Sequence, residues 1–284
     1  MKKIGITAKH TNVEHFTPVF KRLYEYLKKV DKDIYVEKHV AQLINLKKYK
    51  EFVRGKTDVD LLLVLGGDGT ILSVVRTMRK FNTKIFGINF GNLGFMSEIP
   101  PVQIHKTLAK IFKGEYTIDN RLMLNVELIR SKRIIKRFHA LNEAVISQGT
   151  LARLFYLKTK VNAKKLTTYF ADGLIIATPT GSTAYNLSAG GPIVHPSLKT
   201  FIITPICPHS FTQKPIVIPD NKKIEVTVES KKNQIYLTID GQESALLEDG
   251  DIIRIVRDGE AHFVRLPTES FFHTLREKLD WGRS

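Results

Sequence analysis

A chain of 284 residues, 43% hydrophobic and 25% charged, can bury a sizeable core divided over two domains, and its composition excludes a disordered chain. Its 44 Lys plus Arg against 28 Asp plus Glu give a net charge of +16, which suits polyanionic ligands. No RNP, KH or zinc-finger pattern accompanies that charge, and Lys-rich stretches such as KRLYEYLKK and NLKKYKEFVRGK read as solvated helix faces, so no nucleic-acid partner is expected. The longest aliphatic runs, such as LLLVL at 61–65, fall far short of the roughly 20 residues of a membrane span, and MKKIGITAKH lacks the apolar core of a secretory signal. With a lone cysteine, Cys207, among apolar neighbours, the expectation is a cytoplasmic protein with no membrane partner and no thiol chemistry.

KKIGITAK alternates and is β-branched, and TPVFKRLYEYLKKV then sets Val19, Phe20, Leu23, Tyr26 and Leu27 at helical spacing, which predicts a strand followed by a helix. After DIYVEK another helix is expected. VDLLLVLGG is a continuous apolar run ending in glycines, as in a strand buried on both faces. GTILSVVRTMRKF resumes the helical period, KIFGINFG reads as a buried strand, and PVQIHKTLAKIFKGE is an amphipathic helix from Pro101 to Gly114. Alternating strands and helices predict a parallel α/β sheet.

From about 120 to 265 the runs are strands: RLMLNVELIR, RIIKRFHALNEAVIS, RLFYLKTKV, KLTTYFADGLIIATP, PIVIP, KIEVTVES, QIYLTIDG and DIIRIVRDG, punctuated by Gly, Asn and Asp. This predicts an all-β second domain. TESFFHTLREKLDWG closes the chain as a short amphipathic helix expected to pack back on the body. The expected division is 1–119, 120–265 and a tail at 266–284.

LLLVLGGDGTILS is a strand, a glycine turn and a helix start, an arrangement that aims backbone N–H groups and the positive helix end at an anion, phosphate being the expected one. Gly66, Gly67 and Gly69 permit close approach of a ligand to the backbone. The turn is neither a Walker A loop nor a full G-x-G-x-x-G fingerprint. Asp68 lies inside it. A carboxylate there is electrostatically unfavourable unless it meets Mg²⁺ or takes a proton from an attacking hydroxyl, both tasks of phosphoryl transfer; as a plain turn it would cap the helix. The 9 histidines show no H-x-x-x-H spacing and no Cys/His cluster, so no zinc is expected. His195, in IVHP, is expected to be structural.

GGDGT in this setting resembles the motif shared by NAD kinases, lipid kinases of the diacylglycerol-kinase type and, more loosely, phosphofructokinases. LNEAVI (141–146) and DGLIIATPTGSTAYNLSAGGPIVHP (172–196) resemble two further blocks of NAD kinases that the other two groups lack. With GINFGNLGFMSEIP between them, the ordered set spans about residues 61 to 242 and is similar to the bacterial NAD kinases. The resemblance implies an enzyme that moves the γ-phosphoryl of ATP to the 2′-hydroxyl of the adenosine ribose of NAD, giving NADP, with Mg²⁺ or another divalent cation carried by ATP. It also implies a Rossmann-like parallel-sheet domain, a C-terminal β-sandwich domain, a tail helix returning to the first domain, an active site in the cleft between the domains, and a homodimer or homotetramer assembled through the β domain.

Carried over residue by residue, the resemblance makes Asp68 the catalytic carboxylate and Gly66, Gly67 and Gly69 the phosphate holders. Asn142 and Glu143 match a pair that contacts the ribose and phosphate region, and Asp172 matches the aspartate that binds amide or amino groups. Thr180, Thr183, Ala184, Tyr185, Asn186, Leu187 and Ser188 fall at positions lining the dinucleotide site, Leu72 and Phe95 at apolar contacts flanking adenine, and Arg153 and Gln242 at polar contacts. Phe170 stands where some bacterial relatives have a basic residue, in a region that helps set the preference between oxidised and reduced dinucleotide.

Overall fold

The computed structural model describes residues 1–10, 17–78, 82–90, 94–149, 154–229, 234–267 and 270–281. It divides into two units, Met1–Asn120 with Ala261–Ser284, and Arg121–Glu260. In the first, the strands are β1 (Lys3–Ala8), β2 (Asp33–Val36), β3 (Lys50–Glu51), β4 (Leu61–Leu65), β5 (Lys84–Ile88) and β6 (Ser97–Ile99), with the apolar runs in β1, β4 and β5. The runs of helical period form α1 (Thr17–Lys29), α2 (Lys38–Leu43), α3 (Asp68–Met78) and α4 (Ile104–Phe112). The order is β3-β2-β1-β4-β5, every pair parallel, with β6 parallel to β5. β4 lies between β1 and β5, which is why LLLVL is buried at every position: helices cover both faces of a parallel sheet. On α1, Phe20, Leu23 and Leu27 are buried, while Val19 and Tyr26 are half-buried at the edge of the stripe. The Lys-rich segment NLKKYKEFVRGK, predicted as a helix face, is not helical. Too few apolar residues recur at the helical period there, and the chain turns at Gly55, whose φ is +70°.

The second unit contains most of β7 (Thr117–Arg130), then β8 (Arg133–Ala140), β9 (Glu143–Gln148), β10 (Phe155–Val161), β11 (Lys164–Ala171) and β12 (Gly173–Ala177). The one-turn helix α5 (Tyr185–Ser188) leads to β13 (Thr200–Ile206), β14 (Ile216–Pro219), β15 (Ile224–Glu229), β16 (Ile235–Ile239), β17 (Glu243–Leu247) and the start of β18 (Ile252–Arg265). One sheet runs β14-β13-β12-β9-β16-β17, antiparallel throughout. The other carries β11-β10-β15-β18 with β7 on β18 and β8 on β7. Their inner faces share one core, in which Val126, Leu157 and Val226 meet Ile146, Ile176 and Phe201. The outer face of β12 is also buried: Ile175 and Ala177 pack with Val145, Ile202 and Val194, so the segment after β12 folds back over its own strand. The end of β18 rejoins the first unit, pairing parallel to β5, and α6 (Phe271–Leu279) buries Leu275 there. Arg265 Nε holds Asp119 Oδ2 at 3.1 Å, tying the two chain crossings together.

Two runs that read as continuous, RIIKRFHALNEAVIS and KLTTYFADGLIIATP, are each broken, at Leu141-Asn142 and at Asp172. β13 and β17 were not anticipated, because FIITPI and ESALL lack clean alternation. Cys207 is exposed just past β13 rather than enclosed by its apolar neighbours. No helix among the described residues is long and apolar enough to cross a membrane.

Leu63 sits on the central strand with 0% exposure, whereas Val217 on β14 is 44% exposed. Leu63→Ala is expected to lower unfolding free energy by about 2–5 kcal/mol and Val217→Ala by under about 1 kcal/mol, measured by urea unfolding. Equal effects would contradict the assigned core.

Candidate active site

In the first unit β4 ends at Leu65 and the chain turns through Gly66-Gly67 into α3. The Gly66 N–H donates to Ile88 O, and Gly67 O accepts the N–H groups of Thr70 and Ile71, so Gly67 opens the helix. Asp68 follows within the first turn but does not cap it. Its Oδ2 accepts the Phe95 N–H at 2.8 Å and its Oδ1 accepts the Met96 N–H at 3.1 Å. The approach leaves no room for a side chain at Gly94, where a Cβ would lie 2.1 Å from Asp68 Oδ1. Each carboxylate oxygen keeps acceptor capacity beyond its one amide bond. Beside the turn is a cavity of ≈350 Å³, walled by Gly67, Gly69, Thr70 and Ser73 on one side and by Lys9, His10 and Arg54 on the other.

The turn therefore gathers Gly66, Gly67, Asp68 and Gly69, as the sequence implied. Phe95 is half-buried, and its backbone amide is what orients Asp68. Leu72, one turn along α3, is only 7% exposed.

The second unit builds a separate constellation around the break between β8 and β9. Asp240, 5% exposed, accepts the N–H groups of Leu141 (3.0 Å), Asn142 (2.8 Å) and Glu143 (3.1 Å). Thr178 completes the bracket: its hydroxyl donates to Leu141 O at 2.6 Å, its N–H donates to Asn142 O, and its Oγ1 accepts the Gly181 N–H. Gly181 packs against Asn142 so closely that a Cβ would stand 2.2 Å from the carbonyl oxygen. Asn142 and Glu143 are thereby fixed at 7% and 4% exposure, yet Asn142 Oδ1 and Glu143 Oε2 have no hydrogen-bond partner among the described residues. Orphaned buried acceptors each cost about 1–3 kcal/mol and call for an explanation, here a ligand's donors. Burial, with a smaller contribution from the Asp240 charge, pushes the Glu143 carboxyl up to about 8.

Thr180 is 5% exposed and Thr183 and Ala184 are half-buried, while Tyr185 and Ser188 are exposed and Leu187 half-buried on the short α5. Asn186 differs from its expected part. It is fully buried, donates to Ser182 O and Pro192 O at 3.1 Å each, and accepts the Thr204 hydroxyl at 2.7 Å, so its amide holds the loop instead of facing a ligand. His195 closes a turn through Nδ1 and Ser197 Oγ, 2.8 Å apart. Asp172 is half-buried at the break between β11 and β12, and Phe170 stacks on Tyr156 with centroids 4.6 Å apart. Gln242 is exposed two residues past Asp240, and Arg153 lies outside the described residues. Sequence reasoning missed Asp240 and Thr178. The Asp-Gly step after β16 was the available signal for the first, and the Thr-Pro step after β12 for the second.

A carboxyl whose native pKa, about 8, exceeds its ordinary 4.5 keeps its proton in the folded protein over a range where the unfolded chain has released it. Its contribution is therefore present below about pH 4.5, is lost as pH rises towards 8, and is level above that. Glu143→Gln is expected to remove this decline and to melt above the unaltered chain at pH 8, with little difference at pH 4.5. Identical pH profiles in thermal melts would contradict the burial of an uncompensated Glu143.

Comparison with known proteins finds matches to both units. The family described as ATP-NAD kinase N-terminal domain matches residues 5–116, and the ATP-NAD kinase C-terminal domain matches residues 141–266. An NAD kinase of Geotalea daltonii is 41% identical over 287 residues, covering 99% of each chain, and one of Thermoanaerobacter sp. is 39% identical over 284 residues, covering 98% of this chain and 99% of its own. Among solved structures, yeast NADH kinase complexed with NADH superposes with a TM-score of 0.89 at 26% identity, covering 100% of this chain and 89% of its own. An NAD kinase from Archaeoglobus fulgidus in complex with ATP gives 0.74 at 28%, covering 98% of each. With matches of this extent on both units, the chain belongs to the NAD kinase family.

Proposed function

We propose that the chain phosphorylates NAD to NADP with ATP, using Asp68 as the general base or metal-associated carboxylate and the Gly66-Gly67-Asp68-Gly69 turn as the holder of the transferred phosphate. The observation that carries the assignment is the fixing of Asp68 by two backbone amides at the mouth of a glycine turn. A carboxylate so oriented keeps acceptor capacity for the proton of the attacking 2′-hydroxyl, while backbone N–H groups and the positive end of α3 offset charge on the phosphate oxygens. Asp68 also fits a divalent cation such as Mg²⁺, which takes one carboxylate along with donor phosphates and water. Such an ion supplies charge neutralisation of the donor.

On the dinucleotide side, Asn142 Oδ1 and Glu143 Oε2 are the acceptors assigned to ribose hydroxyls, and Asp172 to amide or amino hydrogens. Thr180, Thr183, Ala184, Tyr185 and Ser188 contribute hydroxyls and exposed backbone, Asn186 and Leu187 shape the loop, and Gln242, Arg153, Leu72 and Phe95 supply the remaining contacts. Exposed Val217, Leu246 and Phe211 on the second unit support a homo-oligomer, and we place the reaction in the cytoplasm.

Asp68→Asn keeps the shape and one acceptor but removes the base. Turnover is expected to fall about 10²- to 10⁴-fold in an ATP, Mg²⁺ and NAD assay read through an NADP-specific dehydrogenase. Near-normal turnover in the folded variant would sink the assignment.

A further inference from the structure

The cavity beside the glycine turn has a second wall that the reaction as described leaves unused. Arg54 stands in it, and its guanidinium is anchored from behind: Nε lies 2.9 Å from Glu37 Oε1, and Nη2 donates to Glu37 Oε2 at 3.1 Å and to Thr7 Oγ1 at 3.0 Å. The Thr7 hydroxyl in turn donates to Glu37 Oε2. Nη1 donates to Ser73 Oγ at 3.1 Å, and Ser73 lies on the turn side of the same cavity. The bond to Ser73 uses one of the two Nη1 hydrogens. His10 Nε2 lies 3.3 Å from Arg54 Nη2, and its ring stacks on His39 with centroids 4.1 Å apart.

Two ligand chemistries compete for such a cluster, and charge separates them. His10, Glu37 and His39 offer ligand atoms within 4.8 Å of one another, a spacing that a divalent cation can bridge. The guanidinium already engages both Glu37 oxygens, however, so a metal ion there would displace Arg54 or lie against a fixed positive charge. Burial holds His39 below its ordinary range, which keeps it neutral and compatible with the neighbouring guanidinium. On the cavity side the balance is the reverse: the described lining contains no carboxylate, and it pairs Lys9, His10 and Arg54 with the glycine turn and two hydroxyls. An anion satisfies these groups. At ≈350 Å³ the cavity is at the lower end of the roughly 300–1,000 Å³ typical of small-ligand sites, suited to linked phosphates more than to a whole nucleotide.

We propose that Arg54, Lys9 and His10 form a cationic wall that grips the polyphosphate tail of the phosphoryl donor, with Glu37 and Thr7 positioning the guanidinium. This rests on the reading that the glycine turn holds donor phosphate. An anchored guanidinium presents its donors without first losing side-chain freedom, which a free lysine cannot do.

The test uses the full chain with two readouts, steady-state kinetics and calorimetric titration with inorganic tripolyphosphate in the absence of NAD. Arg54→Ala is expected to raise KM for ATP about tenfold or more and to weaken tripolyphosphate binding equally, with KM for NAD changed less than about twofold. Lys9→Ala, at an exposed side chain, is expected to shift both in the same sense by about threefold without lowering the melting temperature. Glu37→Gln is expected to raise KM for ATP through Arg54, with the inhibition constant of AMP, which lacks the polyphosphate tail, unchanged. Folded Arg54→Ala and Lys9→Ala proteins with unaltered KM for ATP and unaltered tripolyphosphate affinity would overturn the wall while leaving the kinase reading intact. Arg54-dependent tripolyphosphate binding by a protein that makes no NADP would support the wall and count against the kinase reading.

Discussion

Three consecutive backbone amides, those of Leu141, Asn142 and Glu143, donate to one buried carboxylate, Asp240, and the proposed dinucleotide side of the site depends on that convergence. A strand that turns away from its ladder leaves N–H groups without partners, and buried amides left so are costly. Asp240 supplies the partners, so the chain can break between β8 and β9 and set Asn142 and Glu143 inward. The arrangement has a consequence for Glu143: it is brought, buried, beside another acid, and burial more than the neighbouring charge raises its pKa to about 8. Asn142 Oδ1 and Glu143 Oε2 are left without hydrogen-bond partners among the described residues, a local loss of stability of the kind binding sites commonly carry.

The first unit solves a related problem in the opposite sense. Asp68, close to phosphate in the proposed reaction, is oriented by amide donors from the 95–96 segment, and a glycine at 94 lets them approach. In one unit a carboxylate orders a backbone segment; in the other a backbone segment orders a carboxylate. Both schemes use main-chain N–H groups, which are rigid and always protonated, as the fixed half of the pair. Arg54 repeats the scheme with side chains, its fork held by Glu37 and Thr7.

What the sequence disclosed follows from how local each signal is. The parallel sheet was legible because LLLVL and its helical neighbours carry strong periodicity, and the glycine turn because strand, turn and helix are contiguous. The paired blocks at 141–146 and 172–196 pointed to the correct family. Asp240 was hidden because it acts about a hundred residues from the amides it holds, and Asn186 looked like a ligand contact because nothing local reveals that Thr204, Ser182 and Pro192 consume its amide. Arg54 lay in a Lys-rich stretch read as a solvated helix face. Its partners come from β1, from the residue before α2 and from α3, a convergence that only the fold supplies.

Asp240 holds the backbone of Asn142 and Glu143, and through it is expected to preorganise the acceptors proposed for the dinucleotide. Asp240→Asn preserves the shape and suits the left-handed backbone at φ 48°, but turns one acceptor into a donor facing N–H groups. Calorimetric titration with NAD is the direct measurement. The Asp240→Asn protein is expected to bind NAD about tenfold more weakly or worse; an unchanged affinity would show that Asn142 and Glu143 do not depend on Asp240 for their placement, and would contradict the claim.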